Sequence, residues 1–423
     1  MMCRVKILVT LPQSIVGGAD VHSINTFQAL RMIGYDVSPL IIPYKARPYF
    51  VNYLKCSDLL LKSVLNNYLN SYRKVIVIAT YPQLLYHILD LKKVSPSKIV
   101  VLWQPGGNDF CCPLHTEVCP YSLLNSSYGC VHSTTFFLTK CVPHMLRLKR
   151  FSVYHSLIWP NLRRKAFKHL DGFLASRGIY IKGLRCVGYK KCHYVGFGID
   201  TEMFKPRSKD EAIKILSSLS RHVLWGNLDN LLKSVEENND IVVGFVGSAD
   251  PWWKNLKTLI LAFKKFLHHE SMNHRTWLFI VGGSTDELLT ILNAAPESVR
   301  KSIVILRRVN YEKVPYIYNF IDVFVNPSLL DSLEFNTFEA LASGDVVLVS
   351  NRGSIDDLRH YYGLDILSFE PHPDSLATLL KTVLLDLENF KKMALIKCER
   401  IREYIGLKAL AFRLKSVLDK YVE

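Results

Sequence analysis

Short, unbroken apolar runs recur along this chain, each followed by a stretch with helical spacing. In the first half they are VKILVT at 5–10, VSPLII at 37–42, VIVIAT at 75–80 and IVVLW at 99–103. In the second half they are IVVGFVG at 241–247, WLFIVGG at 277–283, SIVIL at 302–306, VFVNPS at 323–328 and VVLVS at 346–350. A strand apolar on both faces needs cover on both faces, which parallel sheets sandwiched between helices provide. Two successive blocks predict an α/β chain of two doubly wound parallel-sheet domains. In such sheets ligands bind in loops beyond the carboxyl ends of the strands.

The pattern breaks at FKPRSKDE, where Pro206 and the charged run 207–211 interrupt it. The expected organisation is an N-terminal domain over 1–207 with a cysteine-rich loop at 104–141, and a helical linker over 208–238. A C-terminal domain over 239–386 follows, then helices over 387–423 that are candidates to cross back to the N-terminal domain.

With 49% hydrophobic and 21% charged residues over 423 positions, a mainly disordered chain is excluded. No apolar run reaches 18 residues, so no spanning helix is predicted. The apolar run in MMCRVKILVT is too short for a signal-peptide core, which makes the expected location cytoplasmic.

The net charge of +16 is unevenly spread: residues 1–210 carry 28 Lys+Arg against 10 Asp+Glu, and residues 211–423 carry 25 against 27. That asymmetry points the first half at an anionic partner, or serves general solubility. Residues 145–170, MLRLKRFSVYHSLIWPNLRRKAFKHL, interleave cations with large apolar side chains. Such a segment fits either an anionic bilayer, with peripheral attachment to the inner face of a membrane, or plain amphipathic helices on a sheet. Nucleic acid is the less favoured anionic partner.

Five of the ten cysteines, Cys111, Cys112, Cys119, Cys130 and Cys141, fall in the 104–141 loop, with His115 and His132 beside them. Zinc there is not favoured. The six- and ten-residue gaps lack the paired short knuckles of a zinc ribbon, and buried thiols or a local disulfide fit as well.

Four motifs carry chemistry. Gly17 and Gly18 open a helix directly after the first strand, letting a polar or anionic ligand approach backbone amides. GIDTEMFKP at 198–206 is a turn-rich junction. GFVGSADPWWKNLKTLILAF at 244–263 places Lys254 just ahead of a helix, where it can meet a phosphate. NPSLLDSLEFNTFEALASGDVVLVSNRGS at 326–354 sets Asp331 and Glu339 eight residues apart on one strand–helix unit. Neighbouring carboxylates accept hydrogen bonds from vicinal hydroxyls, as a sugar or ribose presents them. A helix dipole also accounts for acids at such a place.

In this order the motifs resemble the GT-B-fold retaining glycosyltransferases of group 1, which include glycogen synthase and the bacterial phosphatidylinositol mannosyltransferases. VGGADVHSINTFQALRMIGYDV is similar to the family's first glycine loop, DGFLASRG at 171–178 to a later N-terminal segment, and GIDTEMFKP to the interdomain string. The resemblance implies two Rossmann-like domains facing across a cleft. It also implies a metal-independent hexosyl transfer from a UDP- or GDP-linked sugar to an acceptor hydroxyl. No cofactor is implied, the nucleotide-sugar being a substrate.

By the same resemblance, Glu339 takes the donor ribose and Asp331, one methylene shorter than the family's glutamate, the donor sugar. Lys254 takes the diphosphate. The family's arginine would fall near Ser248, so Arg307 or Arg308 is the candidate substitute. Gly247, Gly282, Asn336 and Thr337 complete the expected donor site. Gly17, Gly18 and His22 belong to the glycine loop of the acceptor side. The N-terminal catalytic position falls on Asp109 or His115. The implied mechanism is front-side displacement, with the leaving diphosphate stabilised electrostatically and accepting the acceptor's proton. The acceptor classes in view are a lipid-linked glycan, a lipid or a glycoprotein glycan. A DNA-modifying transferase and a degenerate nucleotide-sugar-binding module are the alternatives.

Overall fold

The computed structural model describes residues 5–12, 18–42, 65–80, 88–93, 95–104, 169–178, 181, 185, 189–248, 254–269, 275–329, 335–351 and 355–422. The chain divides into two units, Met1–Gly198 together with Leu407–Glu423, and Ile199–Gly406.

The first unit holds a six-stranded sheet: β1 (Val5–Pro12), β2 (Val37–Ile42), β3 (Lys74–Ala79), β4 (Ile99–Trp103), β5 (Gly172–Ala175) and β6 (Cys192–Tyr194). Their order is β2-β1-β3-β4-β5-β6, with every neighbour parallel. Alternation explains the unbroken apolar runs. Ile7, Val9, Ile76 and Ile78 face Ala29 and Leu30 of the helix Gly18–Met32 and Leu410, Leu414 and Leu418 of the helix Leu407–Val422. Leu8, Val75, Val77 and Val101 face the opposite layer with Leu65, Leu69, Ile88 and Leu91. Each such Ile or Leu contributes about 1.5–3 kcal/mol on burial.

The final helix is pinned by polar contacts as well. Tyr421 donates to the Asp171 carbonyl, Arg413 to the carbonyls of Val195 and Phe197, and Lys74 to the Tyr421 carbonyl.

The second unit holds seven strands in the order β13-β12-β11-β8-β9-β10-β7. These are β7 (Val223–Trp225), β8 (Ile241–Val246), β9 (Thr276–Val281), β10 (Ile303–Leu306), β11 (Val323–Asn326), β12 (Val346–Ser350) and β13 (Leu367–Phe369). All neighbours are parallel except β7, which lies antiparallel on the edge against β10. Residues 208–238, expected as a helical linker, hold the helices Lys209–Leu216 and Leu228–Asn238 with β7 between them. Three residues are too short a run to register as a strand in the sequence.

Helix ends follow local chemistry. Ser208, Asn227 and Thr285 each accept a hydrogen bond from a first-turn N–H. Gly344 ends the helix Phe335–Ser343 at φ +91°, where a side chain would be strained.

Both sheets reverse their order at one place. In the first unit the reversal lies between β1 and β3, in the second between β8 and β11. The crevice at the carboxyl ends of those strand pairs is where open α/β sheets take ligands. Among the described residues no helix is long and apolar enough to cross a membrane.

Candidate functional site

In the second unit, β8 runs into Gly247 and Ser248, and β11 runs into Pro327 and Ser328. Side chains lace these ends to the helices that follow. Asn336 donates to the Val246 carbonyl at 3.0 Å and accepts from the Thr337 N–H. Asn326 donates to the Thr337 hydroxyl at 2.8 Å and accepts from Ser328. Asn255, in the left-handed region at φ +53°, donates to the Pro327 carbonyl and accepts from the Thr258 hydroxyl. Asn336 and Thr337, expected at the donor site, therefore spend their side chains on fixing the start of the helix Phe335–Ser343.

Gly247 and Gly282 supply room rather than donors. Their N–H groups bond to the Val281 and Leu306 carbonyls, within the sheet ends. A Cβ on Gly282 would sit 1.8 Å from the Gly247 carbonyl oxygen, so the two loops meet in a way that excludes any side chain there.

The cation expected near Ser248 is Arg308. Its guanidinium donates to the Ser248 hydroxyl at 3.0 Å, sixty residues away in the chain. Arg307 instead bonds through its backbone N–H to the His222 carbonyl, at the edge strand. The alternation of a strand's exit decides between two adjacent arginines, which composition alone cannot. Lys254 lies in the turn just before the helix Leu256–His269, half-buried.

Glu339 is the most constrained group of the site. It is 5% exposed, in a helix whose nine residues are all buried. The Tyr311 hydroxyl donates to its Oε1 at 2.6 Å and the Tyr318 hydroxyl to its Oε2 at 2.9 Å. Burial pushes the Glu339 carboxyl up to about 7, against the opposing pull of those two hydroxyls. Tyr311 and Tyr318 are both held well above the usual tyrosine range by their own burial and by the carboxylate they bond. A carboxylate has about four lone-pair positions. Two are taken by tyrosine, which leaves capacity for a pair of vicinal hydroxyls.

The tyrosines were not singled out in the sequence. Their signal is physical rather than a motif: an acid in the apolar helix TFEALA needs donors, and VNYEKVPYIYNF just upstream supplies hydroxyls. Asp331 lies outside the described residues, as do Glu334, Gly17, Asp109, His115, the cysteine-rich loop and residues 145–168.

In the first unit the corresponding strand ends carry a network of hydroxyls and an amide, with Asp20 and Arg177 buried nearby in sequence after β1 and β5. The Thr10 and Thr80 hydroxyls meet at 2.6 Å, Ser23 donates to Thr80 at 3.0 Å, and Thr26 pairs with Gln104. His22, expected at the glycine loop of the acceptor side, is fully buried, and burial pushes its imidazole down to about 4. The helix Gly18–Met32 faces inward over its first turns, so the ring lies against Phe197 instead of water. Gly18 begins that helix. Among the described residues, no three His, Cys, Asp or Glu side chains come together as a metal site. Cys192 and Cys398 are buried free thiols.

Known proteins resemble the chain in sequence over part of its length and in fold over nearly all of it. Residues 229–404 match the family model of glycosyl transferases group 1. An uncharacterized glycosyltransferase of Methanocaldococcus jannaschii is 29% identical over 164 residues, 38% of this chain and 40% of that protein's length. The chain therefore spans well under two thirds of that relative.

Among solved structures, sucrose-phosphate synthase from Thermosynechococcus elongatus superposes with a TM-score of 0.67 at 13% identity, covering 99% of both chains. Anabaena HepE in complex with UDP and glucose gives 0.62 at 14% identity, covering 98% of this chain and 99% of the other. The α,α-trehalose 6-phosphate synthase of Burkholderia multivorans gives 0.63 at 13%, covering 99% of both. At such identities the likeness concerns the fold. The chain thus has the GT-B fold of these proteins, and its residues 229–404 are similar in sequence to the glycosyl transferases group 1.

Proposed function

We propose that this protein is a glycosyltransferase, moving a hexose from a nucleotide-sugar to an acceptor hydroxyl with retention and without a metal. The observation that carries the reading is the pairing, at one sheet's reversal point, of Arg308 beside Ser248 with Glu339 on the helix after β11. A cation and a carboxylate there match the two ends of a nucleoside diphosphate: phosphate oxygens and ribose hydroxyls.

Arg308 and Lys254 take the diphosphate, with the helix Leu256–His269 adding its dipole. Glu339 takes the ribose, and Asp331 the hydroxyls of the sugar. As the glycosidic bond to the diphosphate breaks, charge grows on the leaving oxygen, and the two cations stabilise it. The departing phosphate accepts the acceptor's proton. HepE, whose solved complexes hold UDP and glucose, supports a UDP-linked donor as the first to try. Acceptors to try are lipid-linked glycans, lipids and glycoprotein glycans, alone and on anionic vesicles.

The test is a panel of UDP- and GDP-sugars, read by thermal stabilisation and by donor hydrolysis, on the wild type and on Glu339→Ala. Stabilisation and turnover by one donor, both lost in Glu339→Ala, is the expected result. Stabilisation without turnover on any acceptor would make the chain a nucleotide-sugar-binding module. No stabilisation by any donor would end the reading.

A further inference from the structure

We propose that Tyr311 and Tyr318, backed by Phe204, are positioning residues that keep the Glu339 carboxylate ionised and oriented for the donor ribose. The inference rests on the donor reading above and adds a regulation to it. Among the described residues, the partners of Glu339 are hydroxyls, one on each oxygen, from a turn and a helix upstream of β11. Two donors on two different oxygens fix both the plane and the tilt of a carboxylate, which a single donor cannot do. They also occupy one lone pair on each oxygen, so the free acceptors point the same way from both atoms.

Phe204 gives the arrangement its stiffness. Its ring is fully buried and packs on Tyr311 at 5.6 Å and on Tyr318 at 6.0 Å between centroids. It comes from GIDTEMFKP, a string whose chemistry is otherwise opaque. The junction segment thus reaches the ribose site through two aromatic contacts. The turn is held at its own end by Asp200, which accepts from the N–H groups of Glu202 and Met203.

Charged groups around the clamp are few. Asp200 acts on Tyr311, and Asp345, itself beside Asp322 and Lys209, acts on Tyr318. From the helix Leu387–Ile405, Arg402 donates to the carbonyls of Phe204 and Ala342 rather than to Glu339. None of these replaces the two hydroxyls as a partner for the carboxylate. Hydrogen bonds to an ionised acid favour the ionised form, so each tyrosine lowers the pH at which Glu339 loses its proton. Donor affinity then rises with pH as the acid ionises, and loss of a hydroxyl moves that rise upward.

The experiment compares wild type, Tyr311→Phe and Tyr318→Phe in the full chain. Donor KM and kcat are measured from pH 5.5 to 9 with whichever nucleotide-sugar stabilises the wild type. Phe204→Leu serves as a third variant that leaves both hydroxyls in place. Each Tyr→Phe change should move the KM limb up by about one pH unit and raise KM about tenfold at pH 7, as loss of one charge-assisted hydrogen bond predicts, with kcat within about twofold. At pH 9 the KM gap should narrow to the residue left by lost orientation, because the carboxylate is then ionised in every variant. Phe204→Leu should raise KM at all pH values without moving the limb. A wild-type protein that takes no donor would defeat the donor reading itself. A wild type that takes donor, with Tyr→Phe profiles that superpose on it, would overturn the clamp and leave the donor reading standing. If one variant does not fold, the other carries the test, since each removes a bond to a different oxygen.

Discussion

The reversal point of the first sheet and that of the second occupy the same place in two similar architectures, yet they are furnished in opposite ways. Beyond β1 and β3 lie hydroxyls and amides that satisfy one another, Thr10 with Thr80 and Thr26 with Gln104, around a neutral buried His22. Beyond β8 and β11 lie a cation on a serine, a half-buried lysine and a buried acid. A self-satisfied hydroxyl and amide network shapes a surface, whereas charged groups at strand ends can add contacts to a charged ligand. Under the proposed function, the first place would take the acceptor and the second the anionic donor.

The largest expected effect breaks or keeps that distinction outright. Glu339→Ala should weaken donor binding by about 100-fold, as expected when two ribose hydroxyls lose a charged partner, while Thr80→Val should leave donor affinity within about twofold. Equal losses by calorimetry would erase the difference between the two places. Glu339→Gln adds a second readout. It removes a desolvated charge, so the Tm at pH 8 should rise even as donor affinity falls.

Next in size is the choice between adjacent arginines. Arg308→Ala should raise donor KM by about 10- to 30-fold, the worth of one charge-assisted contact, and Arg307→Ala by less than about twofold. Donor kinetics on both variants check it, and a reversed ranking would move the diphosphate away from Ser248.

The two units should also answer acid in opposite directions. Between about pH 4 and 6.5 the unfolded chain binds a proton at His22 that the folded one does not, so the first unit gains stability as pH rises. Between about pH 4.5 and 7 the folded chain keeps a proton on Glu339 that the unfolded one gives up, so the second unit loses stability as pH rises. Asp345, pushed upward by burial and by Asp322, acts in the same sense as Glu339. Each effect is bounded at about 3 kcal/mol by its shift. Hydrogen exchange resolved by unit at pH 5 and pH 7 measures both. Parallel changes in the two units would remove the contrast.

Smallest is Thr80→Val, which leaves the Thr10 and Ser23 hydroxyls short of a partner. It should destabilise the first unit by about 1–3 kcal/mol in urea unfolding.

What the sequence disclosed follows from how local its physics is. The strands of nine apolar runs are visible because each run is continuous and bounded by polar turns. β6, β7 and β13 are three residues each, and β5 is the short string GFLA opening on a glycine, so no apolar run stands out in them. The fold class and the pair of sheets are legible for the same reason. The site is legible where it rests on spacing, as with Lys254 ahead of its helix and Glu339 within one. It was ambiguous where partners lie far apart in the chain. Arg308 meets Ser248 across sixty residues, and Tyr311 meets Glu339 across twenty-eight. Nothing local in LRRVN says which arginine turns toward the loop after β8. The burial of His22 was not legible, because a single polar residue in a helix carries no sign of what packs on it. Its burial comes from packing on both sides, by the sheet and by the segment ending at Phe197.

The helix Leu407–Val422 has a consequence for the order in which the chain is made. It supplies Leu410, Leu414 and Leu418 to the hydrophobic layer that covers Ile7, Val9, Ile76 and Ile78. Those strands emerge from the ribosome first, yet part of their covering emerges last. Domains that usually mature in the order of synthesis are here interleaved. The leading sheet waits, partly uncovered, through translation of more than two hundred residues. A chain cut short at Gly406 would leave that apolar face open, so the first unit is completed only after the second has been translated.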